Sequence, residues 1–72
     1  MIMEDKQKIC DKLLEVLQLT RQYEDLQSLI FMRKDVDHET VTALFTQGTV
    51  REINVSMDSG SAMIRDILRA LV

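Results

Sequence analysis

Seventy-two residues of 8.3 kDa, with no Pro, two Gly and one Cys, describe one domain over residues 1–72 and exclude a disulfide framework, since one thiol has no partner. A chain that is 46% hydrophobic and 29% charged has the composition of a packed globular domain, not of a disordered segment. The net charge of −3 speaks against duplex nucleic acid as a partner, which demands a concentrated basic face, and leaves room only for a local basic pocket around a small anion.

The longest apolar run, Leu29 to Met32, is far too short for a membrane span, and Met1-Ile2-Met3-Glu4-Asp5 has no secretory character. The expected address is therefore cytoplasmic, with Cys10 reduced. A domain this small carries only about 4–11 kcal/mol of stability, and no disulfide or structural metal supplements it. That shortage predicts a homo-oligomer.

From Met3 to about Leu19, Ile9, Cys10, Leu13, Leu14, Val16 and Leu17 recur at helical spacing, with Glu4 and Asp5 suited to the positive end of the helix dipole. Leu26 to Arg33 reads either as an extension of this helix or as a strand with Leu26, Ser28, Ile30 and Met32 on one face and Gln27, Leu29, Phe31 and Arg33 on the other. The strand reading is preferred, because the dense Leu29-Ile30-Phe31-Met32 run is followed by a polar turn, Lys34-Asp35-Val36-Asp37-His38, that leads straight into a β-branched segment; such a strand needs cover on both faces. Glu39 to Thr46 alternates Val41, Ala43 and Phe45 against Thr40, Thr42, Leu44 and Thr46; Gln47-Gly48 is a hairpin signal; and Val50 to Met57 returns with Ile53, Val55 and Met57 on one side. The other side of that return strand, with Asn54 on it, reads as wet or ligand-facing. Met63, Ile64, Ile67, Leu68 and Leu71 then form a broad helical stripe. The expected fold is α+β, in the order α-β-β-β-α, with both helices on one face of a small antiparallel sheet.

The stretch from Asn54 through Asp58-Ser59-Gly60-Ser61 into the last helix carries the clearest chemistry. A helix start presents free backbone N–H groups and the positive dipole end, Gly60 permits close approach, and Ser59 and Ser61 add hydroxyl groups, so the loop suits a phosphate. The same residue types are also the preferred caps of any helix. Arg65 and Arg69, one turn apart, repel unless they share an anion, or else Arg69 serves the helix dipole and pairs with Asp66. The Asp35, Asp37, His38, Glu39 cluster matches no calcium loop and reads as a turn. Cys10 reads as a buried thiol, and no nucleophile–base constellation or cofactor motif is present, so the expectation is a protein that is not an enzyme.

Phe45-Thr46-Gln47-Gly48 and Ile53-Asn54-Val55-Ser56-Met57-Asp58-Ser59-Gly60-Ser61-Ala62-Met63-Ile64-Arg65-Asp66-Ile67 resemble the C-terminal half of small phage- and prophage-encoded proteins, some of which are nucleotide sponges. The resemblance covers about a third of the chain and departs at Ser61, often aliphatic in that pattern. It implies an oligomer that sequesters an anionic nucleotide, such as a cyclic oligonucleotide immune signal. Ser59, Gly60 and Ser61 would form the ligand site, with Asn54 beside it and Arg65 or Arg69 closing on the charge. The other reading is a phage or mobile-element interaction module that inhibits or scaffolds a host protein through an apolar surplus on Leu29, Phe31 and Leu44.

Overall fold

A computed structural model describes residues 4–71 and has the order α1 (Lys6–Gln18), β1 (Leu26–Asp35), β2 (His38–Phe45), β3 (Val50–Asn54) and α2 (Gly60–Leu71). The strands form an antiparallel meander in the order β1-β2-β3. Leu29, Phe31, Val41, Ala43 and Ile53 share the face against which α1 packs over β1 and α2 over β3. Cys10 and Leu17 of α1 and Met63, Ile67 and Leu71 of α2 complete the core. The expected α-β-β-β-α arrangement is observed, and of the two readings of the Leu26 segment the preferred one holds: helix ends at Gln18 and the segment is strand.

Local chemistry explains the boundaries. Asp5 caps α1, its side chain accepting from the Lys8 N–H at 3.0 Å. At the other end the Thr20 hydroxyl donates to the Leu17 carbonyl at 2.7 Å, which satisfies one of the orphaned acceptors of the last turn. Gly48 turns the β2–β3 hairpin with φ +95°, as the sequence predicts. The expected return strand to Met57 is shorter, ending at Asn54, because the Asp58 N–H donates to the Val55 carbonyl and Met57 adopts φ 65° in the resulting turn. Val55 is buried as expected, whereas Met57 is exposed.

One irregularity reassigns the faces of β1. Leu26 pairs with Phe45 while Ser28 pairs with Leu44, a bulge that turns Leu26 from the face of Ile30 and Met32 into the core beside Leu29. Of the expected apolar surplus, Leu44 is on the open face but Leu29 and Phe31 are not. Leu29 and Phe31 lie under α1, and the uncovered face holds Ile30 and Met32 beside Leu44 and Val50.

The edges of the sheet differ. The Gln7 side chain reaches from α1 to β1 as a substitute strand, its amide N–H donating to the Leu29 carbonyl at 3.2 Å and its carbonyl accepting from the Phe31 N–H at 2.8 Å. Gln18 donates likewise to the Leu26 carbonyl at 3.0 Å. These two glutamines occupy backbone groups that an exposed edge would offer to another chain.

Candidate functional site

The loop that enters α2 is held from inside the chain. Ser59 is the cap, its hydroxyl accepting from the Ala62 N–H at 3.2 Å. The Gly60 N–H, the donor most suited to a phosphate, is bonded at 3.0 Å to the carboxylate of Glu4. Glu4 thus serves the dipole of α2, not of α1. Gly60 is buried under these neighbours, and a Cβ there would meet Glu4 Oε2 and, at 2.9 Å, Ile9 Cδ1. Its role in this structure is close packing.

Acidity surrounds the same corner. Asp58 is held above the ordinary carboxylate range by the Asp66 carboxylate beside it and then by desolvation, and its Oδ2 is buried without a hydrogen-bond partner. Asp66 lies 3.7 Å from Arg65, so its ion pair is with the adjacent arginine and not with Arg69. Arg65, Arg69 and Ser61 are exposed. Nine residue steps of helix, about 13.5 Å of rise, separate Gly60 from Arg69. The Asn54 side chain accepts from the Ser56 N–H at 2.9 Å and shapes the turn. Of the candidate ligand residues, Ser59, Gly60 and Ser61 are contiguous, whereas Asn54 and Arg69 stand apart from them.

Next to this corner, with its backbone N–H donating to the Ser56 hydroxyl at 3.0 Å, Glu39 is the buried charge among the described residues. Its Oε1 accepts from Lys6 at 2.8 Å, and its Oε2 accepts from Arg33 Nη2 at 2.7 Å and Nε at 2.9 Å. These hydrogen bonds hold its carboxyl below the usual range. Lys6 also lies 5.7 Å from the centre of the Phe31 ring. The cluster ties α1 to the far end of the β1–β2 hairpin. Asp35, whose side chain accepts from the Asp37 N–H at 3.0 Å, shapes the turn, and among the described residues no group of acidic, Cys and His side chains has metal-binding geometry. The Cys10 thiol is fully buried and pushed up to about 11, chiefly by desolvation and then by Asp11, so little thiolate is present at neutral pH.

The remaining surface of distinct chemistry is the open side of the sheet. The register places Ser28, Ile30 and Met32 of β1 opposite Leu44, Thr42 and Thr40 of β2, and these opposite Val50, Glu52 and Asn54 of β3. Glu52 alone among them is charged. Ile30, Met32 and Val50 are 40%, 51% and 56% exposed, and neither helix covers them. The alternation of Ile30 and Met32 was a visible signal for this face, but the uninterrupted register hid that Leu26 does not share it. Among the described residues, no helix is long and apolar enough to cross a membrane. Comparison of the chain with protein-family models, with characterised proteins and with solved structures returns no match.

Proposed function

We propose that this protein is a non-enzymatic interaction module that assembles with a second copy of itself through the open face of its sheet. The observation that carries this reading is the exposure of Ile30, Met32 and Val50 on a face with one charged residue, in a domain too small to be comfortably stable alone. Interface centres are depleted of charge and accept Met and aliphatic side chains, as this face does. Thr40 and Thr42 on the central strand add small, flat positions over which a second sheet packs at about 10 Å.

The nucleotide-sequestering reading, with Ser59, Gly60 and Ser61 as the anion site and Arg65 or Arg69 closing on it, draws less support. It requires Glu4 to leave the Gly60 N–H, and it brings a phosphate beside Asp58 and Asp66. Light scattering coupled to size-exclusion chromatography tests the preferred function. The wild type elutes above the 8.3 kDa of one chain, and Ile30→Lys and Val50→Lys return it to that mass with unchanged circular dichroism. A wild type that stays at the monomer mass at high micromolar concentration sinks the proposal.

A further inference from the structure

On the opposite side of the molecule, an apolar groove of about 470 Å³ runs along the helix layer. Its floor is Ile9, Leu13 and Val16 of α1 with Ile64 of α2. Val16 is 59% exposed, and Leu19, the cap that follows α1, and Leu68, four positions beyond Ile64 on α2, are exposed as well. Between Ile9 and Val16 the groove is about 10 Å long, two turns of a docked helix.

The rim is basic in a chain whose net charge is −3. Lys8 and Lys12 border the groove one turn apart. Lys8 makes no ion pair among the described residues, and Lys12 meets Glu15 only at 3.8 Å, with both side chains about two-thirds exposed. Asp5, the one acid on the rim, is turned into the end of α1 as its cap.

We infer that this groove docks an acidic amphipathic helix of a protein partner, with apolar anchors at i, i+4 and i+7 on the floor and Asp or Glu residues against Lys8 and Lys12. An anionic membrane is the poorer occupant. Asp11 and Glu15 lie on the exposed side of α1 beside the two lysines and repel a continuous sheet of negative charge, whereas a single helix avoids them.

Fluorescence anisotropy on the full chain tests this with a labelled synthetic helix bearing Leu at i, i+4 and i+7 and flanking Glu, and with a matched peptide bearing Lys instead. The Glu peptide binds, the Lys peptide does not, and both Val16→Glu and Lys8→Glu with Lys12→Glu weaken binding by about tenfold or more. Ile30→Lys leaves peptide binding intact, and Val16→Glu leaves self-association intact, which separates this site from the sheet face. Equal binding of the two peptides, no effect of Val16→Glu, recruitment to phosphatidylglycerol vesicles in place of the Glu peptide, or loss of self-association in Val16→Glu each overturns it.

Discussion

The carboxylate of Glu4 accepts a hydrogen bond from the backbone N–H of Gly60 at 3.0 Å, joining residues 56 positions apart. An acid from the start of the chain thereby fills the anion-attracting end of the last helix. Gly60→Ala places a methyl group against Glu4 and Ile9 and is expected to cost about 1–3 kcal/mol in urea unfolding. Glu4→Ala costs about 1 kcal/mol, because the bond is charge-assisted but Glu4 is exposed. With Glu4 in place, a panel of cyclic dinucleotides leaves the melting temperature of the wild type unchanged. A nucleotide that raises it would restore the anion site as the functional one.

Glu39 makes stability depend on acid. Its carboxyl is held low by Lys6 and then Arg33, so in the folded chain it stays ionised below the unfolded carboxylate range. The stability it contributes is present above that range, about pH 4.3, and is lost as pH falls through the lower folded value. Glu39→Gln is expected to cost about 2–3 kcal/mol at pH 7, less than for a fully buried pair because Arg33 is more than half exposed. Unfolding curves at pH 7 and pH 3 should show the gap between wild type and variant narrowing in acid; a constant gap would refute the charge argument.

Gln7 closes the outer edge of β1. Gln7→Ala leaves the Leu29 carbonyl and the Phe31 N–H without their side-chain partner, and two part-buried bonds correspond to about 1–2 kcal/mol. The freed edge is also a template for another strand. Turbidity on mild heating is expected to rise in Gln7→Ala. Hydrogen exchange at the Phe31 amide gives the direct readout, with faster exchange in the alanine variant.

Met57 sits at φ 65° and is 80% exposed as a residue, so it pays for a left-handed backbone without being buried in return. Met57→Gly removes a conformational cost of about 1–2 kcal/mol and adds unfolded-state entropy, for a net gain of about 0.5–1 kcal/mol. A rise of a few degrees in melting temperature is the expected result, and a fall would mean that the exposed side chain makes a contact in solution.

The amphipathic periods of both helices, the Gly48 hairpin and the alternation of β2 were legible because each depends on neighbours in sequence. The cap at Ser59 was legible for the same reason, as a preference of residue type at a helix start. The corner around Gly60 was not. Gly60 and two serines at a helix start suit a phosphate, yet the Gly60 N–H is bonded to Glu4, and no local rule links two such distant positions.

The α-β-β-β-α order and the lack of an internal disulfide in these 72 residues follow from the sequence alone, since period, turn chemistry and cysteine number are local or additive properties. The tertiary structure decided which apolar residues remain uncovered. A bulge of one residue at Leu26 reverses a side chain relative to Ile30 and Met32, and two helices of modest length cover only one side of the sheet. It also decided that the α2 terminus holds the chain's own carboxylate, because only folding brings Glu4 within hydrogen-bond distance of Gly60.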